Sequence, residues 1–188
     1  GEHTEMTQDD LDGLAASFGQ TKADVKAKLG PALLSTGRTI VRLQDILPKG
    51  KGTYRKRRLE QIKQIIVHHT ADNGTPQSVA HYHVAEKGWP GIGYHFMIDK
   101  SGQIYQTNDV DTVSYHVANL NTISLGVTCI GNFEIDEPTA AQVESLKWII
   151  GSAKAIIGDV PVYGHRDKGT TLCPGKNLYK LIQNKDVS

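Results

Sequence analysis

The chain has 188 residues, 38% hydrophobic and 22% charged, with a formal net charge of +1. That composition excludes collagen-like, coiled-coil and low-complexity chains, and the length allows one core with at most a small appendage. No apolar run approaches the roughly 20 residues of a membrane-spanning helix, so membrane insertion is not expected.

Thr7 is placed to cap a first helix with Leu11, Leu14, Ala15 and Phe18 on one face and a stop at Gly19. Thr21 caps a second, with Val25 and Leu29 as its apolar stripe and Gly30-Pro31 as its end. The pair has the outline of a helix-turn-helix, but two short amphipathic helices around a tight turn are a common packing unit, and no nucleic-acid partner is expected. Residues 38–47, with Ile40, Val41, Leu43, Ile46 and Leu47, extend the packing until Pro48 and Gly50-Lys51-Gly52 interrupt it. These segments predict a small helical appendage over 1–47 and a linker over 48–60. Seven Lys and Arg fall between Lys49 and Lys63, including Arg55, Lys56, Arg57 and Arg58. They read as a solvated segment, with an anionic polymer as the alternative partner.

The main domain, 61–188, opens with Ile62, Ile65, Ile66 and Val67, a buried strand ending at His68-His69-Thr70. Thr75-Pro76 starts a helix that Gly88 closes. Residues 93–98 and 102–106 read as a hairpin around the Asp99-Lys100-Ser101-Gly102 turn. Residues 123–130 form another strand. Thr139 and Gln142 then make a capping box for a helix with Val143, Leu146, Ile150, Ala153 and Ile157 at three- and four-residue steps. Strands interleaved with helices predict an α/β fold, a mixed sheet flanked by helices.

Of eight histidines, all but His3 lie between 68 and 165. Imidazole and thiolate are preferred zinc ligands, and a catalytic zinc takes three protein ligands and leaves a fourth position open. His165 and Cys173 sit eight apart in a loop marked by Gly164, Gly169, Pro174 and Gly175, which can turn both side chains to one point. A third ligand must come from elsewhere. His68 and His69 are candidates on opposite strand faces, of which only one can face the metal. Two cysteines cannot build a disulfide framework in a chain of this length. Cys129 alternates with Leu125 and Val127 and reads as a buried small hydrophobe. His83 and His95 read as structural hydrogen-bonders.

Several blocks carry a resemblance. Ile65-Ile66-Val67-His68-His69-Thr70, Gly88-Trp89, Gly93-Tyr94-His95-Phe96, Tyr115-His116-Val117, Ile123-Ser124-Leu125-Gly126-Val127, Gly131-Asn132-Phe133, Gly164-His165-Arg166-Asp167 and Thr171-Leu172-Cys173-Pro174-Gly175 run in order over about 62–182. Together they resemble the type 2 N-acetylmuramoyl-L-alanine amidases, a family that includes phage endolysins and peptidoglycan recognition proteins. The resemblance implies a Zn2+ cofactor held by His68, His165 and Cys173, with His69 beside them. It implies that Tyr94 orients the attacking water and Thr171 donates to a developing oxyanion, while His69, His116 and Asn121 contact substrate in the groove. Asp167 reads as a tether of its loop or a partner of a ligand imidazole.

The implied activity is hydrolysis of the lactyl-L-Ala amide of peptidoglycan, a cell-wall lysis. The alternative is a non-catalytic muropeptide receptor, a branch in which the cysteine ligand is typically replaced. The chain shows no signal-peptide pattern, so the expectation is synthesis in the cytoplasm and release through a lysis pore or carriage in a larger particle. Two departures stand out. Thr128 occupies the strand position where some members carry a glutamate base, and Gln106-Thr107-Asn108-Asp109 matches no known stem-peptide pattern.

Overall fold

The computed structural model describes residues 8–34 and 38–187. Thr7, the expected first cap, lies outside them. α1 (Gln8–Ser17) buries Leu11, Leu14 and Ala15, and Phe18 follows on the same side. α2 (Lys22–Lys28) starts at Thr21, whose hydroxyl accepts from Asp24 N at 3.1 Å, a cap worth about 1 kcal/mol. A single turn, α3 (Pro31–Leu34), follows.

Residues 38–47 do extend the packing, but through a strand. β1 (Ile40–Arg42) pairs with a later strand at Ile104–Gln106, and Leu43 and Leu47 are buried just after it. The remaining elements are β2 (Arg55–Lys56), β3 (Gln64–His69), α4 (Pro76–Ala85), β4 (Phe96–Ile98), β5 (Ile104–Gln106), β6 (Thr112–Val113), β7 (Ser124–Cys129), α5 (Ala140–Ile157), β8 (Val162–Gly164) and α6 (Lys176–Gln183). The larger sheet has the order β1-β5-β4-β7-β3-β8, and β2 pairs with β6 separately. Within the larger sheet only the β4–β5 hairpin is antiparallel. This is the expected mixed sheet flanked by helices.

Local chemistry accounts for the long elements. Thr139 and Gln142 form the reciprocal capping box of α5, and Thr75 does the same with Ser78 ahead of Pro76 in α4. β3 and β7 are buried on both faces, as near-continuous apolar parallel strands should be. One face sets Ile65, Val67, Leu125 and Val127 against Leu146, Ile149 and Ile150 of α5 and Leu178 and Ile182 of α6, and Leu14, Phe18 and Val25 join the same cluster. The other face sets Met97 against Val79 and Ala80 of α4, with Leu43, Leu47 and Ile92. No helix among the described residues is long and apolar enough to cross a membrane.

The basic stretch departs from its solvated reading at one residue. Arg55 and Lys56 are exposed, but Arg57 is buried.

Candidate metal centre

The sheet register builds the centre. β3 and β8 run parallel with Val67 opposite Gly164, so the next residue on each, His68 and His165, emerge side by side. Their rings lie 4.7 Å apart between centroids. Cys173 returns to the same point because Arg166 N donates to Cys173 O at 2.8 Å, closing the intervening loop. One donor atom from each of His68, His165 and Cys173 lies within 4.8 Å of the others.

The donor set can be tested against zinc. Bonds of about 2.3 Å to sulfur and 2.0–2.1 Å to nitrogen at a tetrahedral ion place sulfur and nitrogen about 3.6 Å apart. Cys173 Sγ and His68 Nδ1 are separated by 3.6 Å. Two imidazoles and a thiol, with the sulfur and one nitrogen at that spacing, are a donor set that fits a tetrahedral zinc.

Strand alternation separates the two adjacent histidines. His68 turns toward His165, whereas the ring of His69 faces the apolar side, 6.2 Å from Phe133, and its Nδ1 accepts from Phe133 N at 3.2 Å. What His69 offers the centre is its main-chain N–H, which donates to Cys173 Sγ at 3.3 Å. The ring of His69 is thus not among the converging donors. Thr128 lies opposite His68 on β7, its buried hydroxyl lacking a partner among the described residues.

His116 packs against the centre. Its Nδ1 lies 2.9 Å from His68 Nε2, and its Nε2 faces Ser124 O at 3.4 Å. The ring lies flat on β7 at Gly126, where a Cβ would come within 2.8–2.9 Å of three ring atoms. That contact explains a glycine inside a buried strand. Gly126→Ala is expected to push the imidazole off His68, lowering stability by about 1–3 kcal/mol and zinc affinity about tenfold. Denaturant titration and chelator competition measure both, and two unchanged values would show that the ring has room to move.

Asn121 braces the same segment. Its Oδ1 accepts from His116 N and Val117 N at 2.9 and 2.8 Å, so the carbonyl end serves the loop that carries His116. His95 and His83 are structural, as expected. His95 Nδ1 accepts from Gly126 N at 3.0 Å and its Nε2 meets Thr112 O at 2.7 Å, and His83 Nδ1 accepts from Gly93 N at 3.0 Å.

The ligand loop is braced by residues that sequence reasoning did not single out for this task. Arg166 donates to Glu134 Oε1 at 3.2 Å and to Leu172 O, and its guanidinium sits 4.7 Å from the centre of the Tyr179 ring. Glu134 also accepts from Lys176 N at 3.3 Å, tying the loop to the start of α6. Asp167 takes the tethering role, accepting from Gly164 N at 3.0 Å and from Tyr179 OH. Arg166 was visible as a neighbour of His165. Glu134 carried no signal beyond its place after Gly131-Asn132-Phe133.

Tyr94 stands against the centre, its ring 5.1 Å from that of His68. It lines a cleft of about 330 Å³ with Thr70, Asp72, Ser78, Tyr82 and His83. Burial, with the neighbouring Cys173 and Asp72, holds its phenol above the ordinary tyrosine range, so it keeps its proton near neutrality. Thr171 Oγ1 accepts from Cys173 N at 3.2 Å, a bond that leaves its own O–H free to donate.

Burial pushes the Cys173 thiol up to about 12, partly offset by the His69 N–H and Arg166. Burial also holds His68 and His165 below the usual imidazole value, so both are neutral at about pH 7.5. Zinc binds thiolate and neutral imidazole, so loading must expel the thiol proton. We expect about one proton released from Cys173 per zinc, measured by calorimetry in buffers of different ionisation enthalpy, and lost in Cys173→Ala. An unchanged count in that variant would remove the sulfur from the donor set.

A mixed sheet with two imidazoles at the ends of parallel strands and a thiol in the following loop defines an α/β protein with a candidate three-donor metal site. The family follows from comparison: residues 58–176 match the N-acetylmuramoyl-L-alanine amidase model, and the chain belongs to that family. It is 32% identical over 130 residues to peptidoglycan-recognition protein SC2 of Drosophila melanogaster, covering 63% of this chain and 71% of the relative. Among solved structures it is similar to the endolysin amidase LysCS from Clostridium intestinale, with TM-score 0.69 and 29% identity over 80% of this chain and 97% of that one. It is also similar to the complex of recognition proteins LCa and LCx with tracheal cytotoxin, with TM-score 0.72 and 26% identity over 79% and 96%.

Proposed function

We propose that the protein is a zinc-dependent N-acetylmuramoyl-L-alanine amidase that cuts the amide between the lactyl group of peptidoglycan and L-alanine. The observation that carries this reading is the convergence of Cys173 with His68 and His165. A bound zinc would polarise the scissile carbonyl and lower the pKa of a water toward ~7, which makes a strong protein base less necessary. Tyr94, protonated and beside His68, orients the oxygen that attacks. Thr171 donates its free O–H to the carbonyl oxygen as negative charge develops there. The cleft beside Tyr94 receives the stem peptide. The complex of related recognition proteins with tracheal cytotoxin supports a muropeptide as the partner.

That same likeness favours a second reading, a receptor that binds muropeptides without cutting them. Digestion of purified sacculi separates the two. The amidase reading expects free stem peptides with new L-Ala amino ends by mass spectrometry, and none from His165→Ala. Muropeptide binding by wild-type, zinc-loaded protein without new amino ends would establish the receptor.

A further inference from the structure

Arg57 belongs to the basic stretch, yet it is only 7% exposed. Its guanidinium donates to main-chain carbonyls. Nε and Nη2 reach Val110 O at 3.2 and 2.9 Å, and Nη1 reaches Asn121 O, Thr122 O and Ser124 O at 2.9, 2.9 and 2.8 Å. Its Nη2 also lies 3.3 Å from His95 Nε2. His95 Nδ1 already accepts from Gly126 N, so His95 Nε2 carries the proton given to Thr112 O, and two donors facing each other make no bond. Arg57 therefore acts through the carbonyls.

Ser124 O is the one that matters for the metal centre. It accepts from Arg57 and also faces His116 Nε2. A carbonyl can only accept, so His116 carries its proton on Nε2 and presents a lone pair at Nδ1. That lone pair faces His68 Nε2, which must then be the protonated nitrogen of His68. His68 is left with its bare Nδ1 toward Cys173 Sγ. The opposite tautomer of His116 would set a bare Nε2 against the lone pairs of Ser124 O.

We infer that Arg57 is a positioning residue of the metal centre. By holding Ser124 O it orders His116 and then His68, so that Nδ1 of His68 is the atom offered to the metal. The inference rests on the zinc reading above. Removing an outer hydrogen-bond partner of a metal-ligating histidine typically costs 10–100-fold in metal affinity, and an arginine linked to His68 through Ser124 O and His116 should fall at the low end.

The test is zinc affinity by chelator competition in Arg57→Lys, made in the wild-type and His116→Gln backgrounds. Arg57→Lys is expected to weaken zinc about tenfold in the first and less than about twofold in the second, because its effect passes through the imidazole that is already missing. The cobalt(II) absorption bands should shift in Arg57→Lys, reporting altered ligand geometry. Equal weakening in both backgrounds, or unchanged affinity in the first, overturns the inference. Should Arg57→Lys not fold, the imidazole 15N spectrum of the zinc-loaded wild-type chain decides instead: protonated Nε2 on both His116 and His68 supports the inference, and protonated Nδ1 on His116 overturns it. A wild-type chain that takes up no zinc overturns the proposed function and this inference with it. Uptake by wild type with no loss in Arg57→Lys overturns this inference alone.

Discussion

Cys173→Ala is expected to lower sacculus hydrolysis on the order of a thousandfold or more while the chain remains folded. The thiol is one of three donors that converge on a single point, and losing it leaves two imidazoles and too little charge to hold or tune a divalent ion. The substitution removes no central core side chain, since Cys173 is only half-buried and lies in the loop between β8 and α6. Its main structural debt is the His69 N–H, which loses its sulfur acceptor. That should cost about 1–3 kcal/mol, tolerable within the roughly 5–15 kcal/mol of an ordinary domain. Release of amino ends, zinc content and the far-ultraviolet dichroism spectrum check the three parts together. Full activity without the sulfur would refute its place at the centre.

The second large effect is on stability in acid. His68, His83, His95 and His116 are buried, and burial is the leading cause that holds each below the ordinary imidazole value of about 6.5, to about 4 for His83 and about 3 for His116. Positive neighbours add to this: Lys87 near His83, and Arg57 near both His95 and His116. The sign follows from linkage. The unfolded chain takes up protons below about pH 6.5 and the folded chain does not, so stability is intact above that value and falls as the pH drops toward the folded values. Each histidine steepens the fall by up to about 1.4 kcal/mol per pH unit, or at most about 2 kcal/mol each by pH 5. Four together approach the whole stability of a domain. Urea midpoints between pH 7.5 and 4.5 should therefore decline steeply, and His95→Gln should flatten the slope by about one proton. A level profile across that range would mean that these imidazoles reach water more freely than their burial indicates.

Periodicity and end chemistry made the long elements legible. α5 has its apolar residues at helical steps and its Thr139–Gln142 box, and β3 has an unbroken β-branched run, so local signals and tertiary burial agree there. The short pieces escaped. β1, β2, β6 and β8 are two or three residues long, too short for a period of two to show, and each exists because a neighbouring strand offers its open edge. β8 matters most of these, since its pairing with β3 sets His165 beside His68.

Residue type and order by themselves determined the mixed α/β class, the caps of α4 and α5, and the chemistry of the donors: imidazoles, a thiol, a phenol and a threonine hydroxyl in recognisable blocks. Alternation along β3 also required that His68 and His69 part to opposite faces. Which of them meets His165 and Cys173 was decided by the parallel register of three strands and the loop closed at Arg166, contacts that span about a hundred residues. Only the tertiary structure turned Arg57 inward, gave both His116 nitrogens to protein partners and spent the Asn121 carbonyl on a loop. The physical reason is common to these three: their partners are main-chain N–H and C=O groups or another imidazole. Nearly every residue carries the same main-chain groups, so the sequence bears no mark of which ones will be brought within reach.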